Sequence, residues 1–507
     1  MPTTDEQREK IARLARLRKL GVKRGAHDLK APASAPAPAP RRVEDSELTR
    51  SETGQSEQMS LRGAVFATKQ SPPMDEIAAA QTTGLAMTPP ATLPGEAVET
   101  PDGPAWVRTV RYALADHPEL AALLEVEAEA LAAAGRDPAL ARLDPAWAAF
   151  VDTETTGLTP DTATYTFLIS IGMYENLQRD AGASSGNRCL DGDFVVRQFF
   201  MRTPAEERGQ LHLVAETLNR ATGLISFNGR GFDLPLMQNR FILARRPFPW
   251  LRLPHLDLLP AARRVWRGRL ESCRLGSLEQ HILDVRRTEE DVASFLIPDI
   301  YRQYCLSGTI SDMLVRVFYH NLADITSMPR LAARLGRLYQ ANGRIERLRS
   351  LPGAECLSLA RAYVDLGWHE AGEAAYRVAL AAPLADAERG QTYRDLSYLL
   401  KRLERRAEAA ALWEEWISAA PGDDVTPYVE LAKYHEWHTG DLTAARGWAA
   451  WALRLVEGAR QAAGRGDGVA PRSTLPTTTA ELRHRLERLE KKLAGEAQTR
   501  CCSERSN

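Results

Sequence analysis

The chain has 507 residues, 44% of them hydrophobic, which is enough apolar material for more than one hydrophobic core. Its formal net charge of −1 excludes a global electrostatic attraction to nucleic acid, so any such attraction must come from local basic patches. No run of about 18 apolar residues predicts a membrane span, and the six cysteines, without paired metal-binding spacing, predict a reduced, cytoplasmic protein.

Residues 1–105 are predicted to form a disordered arm, because they combine a basic stretch with an Ala-Pro run and a polar, Pro-rich segment. The basic stretch can bind nucleic acid or a partner, or it can be a solvated tail. Residues 106–146 are predicted to be a helical extension, since Trp106, Val110 and Leu114 lie at helical spacing.

Residues 150–158 read FVDTETTGL and place two carboxylates at positions i and i+2 after an apolar run. The run predicts a buried strand, from which Asp152 and Glu154 leave on the same face. Two carboxylates so close resist ionisation without a cation, and hard oxygen ligands suit Mg²⁺ or Mn²⁺. The alternative is a solvated acidic pair on an exposed strand face, which fits the apolar lead-in poorly.

A third carboxylate, Asp233, follows a short buried strand predicted at residues 224–227. Asn228 and Gly229 break this strand, and Asp233 stands just before a stretch with helical character. An aspartate at a loop-to-helix junction is often only an N-cap, so the capping and functional interpretations both stay open.

A fourth carboxylate, Asp324, lies in a helical stretch at residues 314–335, four residues after His320. This spacing places the two side chains on one helix face. Taken singly, such a pair is commonly an exposed polar contact. The order of the three motifs along the chain is much more specific than any one of them.

The three motifs, DTETTGL at 152–158, SFNGRGFD at 226–233 and HNLAD at 320–324, resemble those of the DEDD exonuclease superfamily. HLDL at 255–258 and CRLGSLE at 273–279 are similar to the YprB-like branch of that superfamily. The resemblance implies an α/β ribonuclease-H-like domain over residues 147–345, with a mixed central sheet and flanking helices. Strands predicted at 165–174 and 194–200 fit the element order of such a sheet.

The resemblance implies that four carboxylates hold two Mg²⁺ or Mn²⁺ ions and that the chain is a 3′–5′ exonuclease acting on DNA or RNA. The four are Asp152, Glu154, Asp233 and Asp324. Two divalent ions can activate a water molecule and stabilise the leaving oxygen of a phosphodiester. Thr155 and Asn228, which lie within the first two motifs, are predicted to contact the substrate.

The general base departs from the family pattern. The superfamily's histidine type has four residues between His and Asp, and its tyrosine type has three between Tyr and Asp. Here His320 has the tyrosine spacing and Tyr319 the histidine spacing. We favour His320 as the catalytic base, because Tyr319 lies about 100° further round the helix from Asp324. The alternative assignment to Tyr319 stays open.

Beyond residue 350 an apolar pattern repeats. Leu359-Ala360 recurs as Leu396-Ser397 and as Leu431-Ala432, at offsets of 37 and 35 residues. These offsets are close to the ~34 residues of tetratricopeptide repeats, so residues 355–460 are predicted to form an all-α solenoid of that kind. Its core is predicted to contain Trp413, Trp416, Trp448 and Trp451. The solenoid can bind a partner protein or act as a rigid spacer. Residues 461–507 are predicted to be a tail with one helix.

Two classes of function follow from these observations. The first is a two-metal nuclease, most simply a 3′–5′ exonuclease, with an attached interaction module. The second is a non-catalytic nucleic-acid-binding or scaffold protein that keeps the fold. The presence of all four carboxylates and a candidate base favours the enzyme. An endonuclease or nucleotidyl transferase would use the same metal ions, and no motif distinguishes DNA from RNA.

Overall fold

The computed structural model describes residues 92–157, 163–178, 191–288, 291–340, 345–419, 424–464 and 479–504. Its strands are β1 (Glu96–Thr100), β2 (Gly103–Ala113), β3 (Ala148–Thr155), β4 (Thr166–Gln178), β5 (Asp191–Phe200), β6 (Gly223–Ser226) and β7 (His255–Asp257). They form one sheet in the order β1-β2-β5-β4-β3-β6-β7. In this order, the neighbouring strands β1, β2, β5, β4 and β3 pair antiparallel, whereas β3, β6 and β7 pair parallel. The predicted mixed sheet is therefore confirmed.

Helices cover both faces of the sheet. They are α1 (Pro118–Ala121), α2 (Ala128–Gly135), α3 (Glu207–Leu218), α4 (Asp233–Leu243), α5 (Leu258–Trp266), α6 (Leu275–Leu278), α7 (Ile297–Ser307) and α8 (Asp312–Gln340). Phe150 of β3 packs in the core that contains Ile325 of α8, and Val151 packs on the other face in the core that contains Leu234 of α4. Strand β3 is therefore buried on both faces, which explains its continuous apolar run.

Short turns of helix connect these elements. Turns of 3₁₀-helix cover Ala122–Glu125, Pro138–Arg142, Pro145–Trp147, Pro204–Glu206, Pro249–Arg252 and Ser294–Leu296, and a π-helical turn covers Glu279–Leu283. None of the described helices is long and apolar enough to cross a membrane.

The predictions for the region before β3 were partly wrong. Residues 96–100, which were predicted as disordered, form β1, and residues 106–113, which were predicted as helical, belong to β2. Strand β2 pairs with β5 from Trp106 opposite Phe200 to Ala113 opposite Asp193. Val107, Thr109 and Tyr112 favour extended backbone, and this pairing outweighs the apparent helical spacing. Residues 1–91 of the predicted arm lie outside the described residues.

From residue 345 onward, the regular elements of the described residues are all helical, as predicted. The helices are α9 (Ile345–Arg349), α10 (Gly353–Asp365), α11 (His369–Ala381), α12 (Asp386–Arg402), α13 (Arg406–Ala419), α14 (Thr426–Tyr434), α15 (Leu442–Gly464) and α16 (Thr479–Glu504), with a π-helical turn at His435–Thr439. Consecutive helices from α10 to α16 pack on one another. Trp413 and Trp416 are buried as predicted, and Trp448 is half-buried. Trp451, however, is 51% exposed and stacks against the guanidinium of Arg454.

The helical repeats share a core with the sheet domain. One continuous cluster of buried residues runs from Leu114 through Tyr339 to Leu431. At the junction the Tyr363 hydroxyl donates to the Leu338 carbonyl at 2.6 Å, and Arg269 forms an ion pair with Glu355, which is 1% exposed. The two parts are therefore packed as one unit, with helix α10 against α5.

Candidate active site

Asp152 and Glu154 lie at the carboxyl end of the central strand β3. Strand β6 pairs with β3 only as far as Val151 opposite Ser226, so both carboxylates lie beyond this parallel pairing. In open α/β sheets, ligands bind outside the carboxyl ends of the parallel strands. Alternation along β3 places both side chains on the face that Phe150 shares with helix α8. The predicted projection of the two acids from one face is therefore found.

Asp233 reaches the same end of the sheet from the opposite face. It is the first residue of α4, it is 4% exposed, and its Oδ1 accepts a hydrogen bond from Thr153 Oγ1 at 2.5 Å. The loop before it is held by Asp257, whose carboxylate accepts from the backbone N–H of Asn228 at 2.8 Å and of Arg230 at 3.2 Å. This support allows Asn228 to adopt the left-handed backbone at φ 67° that turns the chain toward Asp233.

Asp324 is brought to the site by the long helix α8. Gly172 of β4 makes the close approach of this helix possible, because a β carbon there would lie 2.8 Å from Ile325 Cγ2. On the same helix, Asn321 is fully buried, and its Nδ2 donates to Asp152 Oδ2 at 2.6 Å. Asn321 Oδ1 in turn accepts from Gln198 Nε2 at 2.9 Å and from Ser170 Oγ. This buried network fixes α8 against β3, β4 and β5.

The four carboxylates interact electrostatically. Burial, together with the charges of the other three carboxylates, raises the pKa of Asp152 well above its ordinary value. Burial and the charges of Asp324 and Asp233 likewise raise the pKa of Glu154. Burial raises the pKa of Asp233 to about 6, although the hydrogen bond from Thr153 opposes the shift. The protein thus concentrates acids whose ionisation a nearby cation would favour.

Arg287 provides a positive charge inside this acidic group. Its guanidinium donates to both carboxylate oxygens of Glu279, at 2.6 and 2.8 Å, and to Asp324 Oδ1. Burial disfavours the charged guanidinium, but the hydrogen bonds to Glu279 and the charge of Asp324 outweigh it and raise the pKa of Arg287. Burial also raises the pKa of Asp324, while the charge of Arg287 opposes that shift.

His320 lies in the same cleft. Its Nδ1 lies 2.7 Å from Asp291 Oδ1 and 3.2 Å from Arg287 Nη1. Because the carboxylate oxygen is the closer of the two and accepts, we assign the ring hydrogen to Nδ1, from which it is donated to Asp291. Its Nε2 lies 3.3 Å from Ser294 Oγ and 3.7 Å from Asp324 Oδ2, and is left as the basic nitrogen. The Tyr319 hydroxyl instead accepts a hydrogen bond from the Thr288 backbone N–H at 3.2 Å.

A cleft of about 980 Å³ contains much of this site. Asp152, Asp233, Asp324, His320 and the predicted substrate residue Asn228 all line it. The other predicted substrate residue is placed differently. Thr155 is 6% exposed, and its hydroxyl donates to the Gly157 carbonyl at 2.6 Å, so it holds the turn after β3 and does not line the cleft.

The donor chemistry of these acids fits hard divalent cations, since all four offer carboxylate oxygens. No group of three or more His, Cys, Asp or Glu side chains in the described ranges stands in a metal-binding arrangement. The present contacts explain this: Asp324 is paired with Arg287, Asp152 with Asn321, and Asp233 with Thr153. Metal binding would therefore require some of these carboxylates to turn toward a shared ion.

Residues 149–336 match the sequence model of the RNase H superfamily. This part of the chain therefore has a ribonuclease-H-like fold. The chain is also 27% identical over 290 residues to the uncharacterized protein YprB of Bacillus subtilis (strain 168). That similarity covers 57% of this chain and 64% of YprB, so the chain spans slightly less than two thirds of its relative. The predicted likeness to a YprB-like ribonuclease-H-fold family is confirmed, and the fold supports a nuclease-like function.

Sequence reasoning missed several residues of the site. Asn321, Ser170 and Gln198 form the network that holds Asp152, and Arg287 and Asp291 contact Asp324 and His320. The network had a signal in the sequence, because Ser170 is a single polar residue within the apolar stretch of strand β4, and Gln198, next to Arg197, interrupts the apolar stretch of strand β5. Arg287 and Asp291 lie in a connecting segment without periodicity, so no pattern singled them out.

Proposed function

We propose that the chain is a metal-dependent nuclease that hydrolyses phosphodiester bonds of DNA or RNA from the 3′ end. The observation that carries the proposal is the convergence of four motif carboxylates from both faces of the sheet. Three of them, Asp152, Asp233 and Asp324, line the cleft that also contains His320. A scaffold protein without chemistry would have no need to bury mutually repelling acids beside a histidine.

Asp152, Glu154, Asp233 and Asp324 would hold two Mg²⁺ or Mn²⁺ ions, which supply activation of water and stabilisation of charge on the phosphate and the leaving oxygen. His320 accepts the proton of the attacking water at Nε2. Asp291, which receives the Nδ1 hydrogen at 2.7 Å, keeps the ring in that tautomer and orientation. Asn321 orients Asp152 through the hydrogen bond at 2.6 Å. The helical repeats are proposed to bind a partner protein.

Substitution of Asp152 by Asn tests this function. We expect Asp152→Asn to abolish cleavage and to weaken Mn²⁺ binding in calorimetry. The melting temperature should be unchanged or raised, since the substitution removes one of four repelling carboxylates. Asp299→Asn is the matched control, because Asp299 is 60% exposed on α7 and pairs only with Arg302 among the described residues.

The substrates are chosen to separate the alternatives. Single-stranded, duplex and RNA oligonucleotides labelled at the 5′ end give a ladder of shortened products if removal begins at the 3′ end. Cleavage of circular single strands would instead indicate an endonuclease. Wild-type protein that binds these substrates but cleaves none of them with Mg²⁺ or Mn²⁺ would contradict the proposal and support the non-catalytic alternative.

A further inference from the structure

Three arginines line one wall of the cleft that contains the acids. Arg263 belongs to α5, Arg267 follows that helix, and Arg274 immediately precedes α6. Arg263 and Arg267 are four residues apart and lie on one side of the helix. Both arginines lie close enough to the buried thiol of Cys273 for their positive charges to act on it. Burial raises the pKa of this thiol, and the charges of the two arginines oppose that rise. The three guanidinium groups therefore belong to one wall.

This wall is positively charged in the folded protein. All three arginines are exposed, and none of them forms an ion pair with a carboxylate of the described residues. Neighbouring arginines behave differently: Arg269 is paired with Glu355, and Arg264 donates to the Ala134 carbonyl. Glu271 is the one acid of this stretch that lines the cleft, so the wall keeps a net positive charge.

The charge distribution across the cleft is uneven. Asp152, Asp233, Asp291 and Asp324 line its acidic part, whereas the arginine wall faces solvent at its rim. A phosphodiester chain that approaches the acids is repelled by them, and exposed cations along its path offset this repulsion. The planar guanidinium also matches the geometry of phosphate oxygens, which makes arginine suited to this contact.

The same cleft offers aromatic surface. Phe227 and Phe232, on either side of the Asn228 turn, are half-buried and line the cleft. A positively charged groove combined with aromatic side chains is the usual arrangement for binding unpaired nucleic acid, whose bases are free to stack. The acids are also recessed, so a single strand can reach them more readily than a duplex with two phosphate backbones.

We propose that Arg263, Arg267 and Arg274 bind successive phosphates of an unpaired nucleic-acid strand and lead it to the carboxylate site. The inference rests on the proposed function for its choice of nucleic acid as the ligand. The proposed contacts of the three arginines are to phosphates, which DNA and RNA share. The test therefore includes a DNA and an RNA oligonucleotide.

The test compares two triple variants of the full chain. The first is Arg263→Ala/Arg267→Ala/Arg274→Ala. The control is Arg111→Ala/Arg208→Ala/Arg302→Ala, which removes the same charge from side chains that are 52%, 67% and 69% exposed and do not line the cleft. Circular dichroism and melting temperature establish that both variants are folded. Fluorescence anisotropy then measures binding of oligo-dT and oligo-U of about a dozen nucleotides, with EDTA and again with Ca²⁺, at salt concentrations from about 0.05 to 0.3 M.

Each phosphate contact on a single strand contributes ~0.7 to the slope of log affinity against log salt concentration. Loss of three contacts should therefore reduce the slope by about 2 and weaken binding about 10²-fold at 0.1 M salt. The control triple variant should bind like wild type. A reduced slope for oligo-dT, oligo-U or both supports the proposal and identifies which nucleic acid the wall accepts.

Equal binding of oligonucleotide by the two triple variants would overturn the proposal. So would wild-type binding of duplex that is as tight as its binding of single strands. Absence of wild-type binding both with EDTA and with Ca²⁺ would overturn it as well. Because binding is measured without cleavage, this test is separate from the proposed function. A protein that binds through the arginines but cleaves nothing contradicts the nuclease proposal alone. A protein that cleaves but binds equally well without the arginines contradicts the inference alone.

Discussion

The side chain of His320 is held between two acids that have different roles. Asp291 receives the hydrogen on Nδ1 at 2.7 Å, and Nε2 lies 3.7 Å from Asp324 Oδ2. The ring is thereby oriented with its basic nitrogen toward the acidic part of the cleft. Tyr319, on the neighbouring side of α8, uses its hydroxyl to hold the Thr288 backbone. This geometry favours His320 over Tyr319 as the general base.

We expect His320→Ala to lower the rate of cleavage by about 10²–10⁴, the usual contribution of a general base. Tyr319→Phe should lower it much less, because it removes one hydrogen bond to the backbone outside the cleft. Single-turnover kinetics with saturating oligonucleotide compares the two, and circular dichroism checks that both variants fold. A larger rate loss in Tyr319→Phe than in His320→Ala would reverse the assignment.

The sequence allowed prediction of the residues whose positions depend on local periodicity. Asp152 and Glu154 follow from strand alternation, and His320 and Asp324 from helical spacing. The sequence could not predict which partner holds each acid. Asn321 reaches Asp152 across 169 residues of chain, and Arg287 reaches Asp324 across 37 residues that include a non-periodic connection. Such contacts arise from tertiary packing, which a local pattern does not encode.

At the level of secondary-structure elements, prediction succeeded where periodicity and burial agreed. Strands β4, β5 and β6 were predicted at 165–174, 194–200 and 224–227, and each predicted end lies within four residues of the observed one. Strand β2 was missed because its residues alternate only weakly between buried and exposed positions. Its extended conformation depends on pairing with β5, which a local pattern does not show. The helical repeats were recognised from their recurrence, although their tetratricopeptide-like character stays a prediction.

The last helix, α16, is attached to the repeats through a buried carboxylate. The Glu436 side chain is fully buried and accepts hydrogen bonds from Arg485 at 2.9 Å, Arg488 at 2.7 Å and Lys492 at 2.9 Å. Burial tends to raise the pKa of Glu436, but the hydrogen bonds and charges of Arg488 and Lys492 outweigh it and lower the pKa. The charged form of Glu436 therefore stabilises the docking of α16.

We expect Glu436→Gln to destabilise this docking by about 1.5–3 kcal/mol at neutral pH, the usual contribution of hydrogen bonds to a charged group. Hydrogen exchange of the α16 amides measures the effect. Glu490→Gln is the control: Glu490 is 54% exposed on the same helix and pairs with Arg446, so its loss should change the docking by no more than about 0.5 kcal/mol.

The pH dependence of this effect has a defined sign. A carboxylate with a lowered pKa in the folded state contributes its full stability above the ordinary glutamate pKa of ~4.3. That contribution is lost as the pH falls through the lower, folded-state pKa. The difference between wild type and Glu436→Gln should therefore be constant near neutral pH and shrink below about pH 4.3. A difference that grows on acidification would contradict the assignment.

In the molecule as a whole, the helical repeats support the arginine wall of the cleft. Helix α10 packs on α5, which carries Arg263 and leads directly to Arg267. The buried cluster also continues from Tyr339 into α10, so a chain cut near residue 350 would expose core residues that are now covered. The contribution of the repeats to strand binding is therefore better tested by a point substitution at the junction than by truncation.

The ion pair of Arg269 with Glu355 provides this test. Glu355 is 1% exposed, and its Oε2 has no hydrogen-bond partner among the described residues, so the carboxylate depends on Arg269. Arg269→Ala leaves a buried charge unpaired and should destabilise the junction by about 3 kcal/mol. Hydrogen exchange should increase in α5 and α10, and binding of single-stranded oligonucleotide should weaken because α5 loses its support.

Replacement of both partners separates loss of the charge pair from loss of the arginine itself. In Arg269→Ala/Glu355→Met the buried charge is removed together with its partner, and an apolar side chain of similar length fills the space in the core. Such replacements of buried ion pairs are often neutral or stabilising. The double variant should therefore recover the melting temperature, the slow exchange of α5 and the affinity for oligonucleotide. Recovery of the melting temperature without recovery of binding would show that Arg269 itself contacts the strand, and that the repeats do not act through α5.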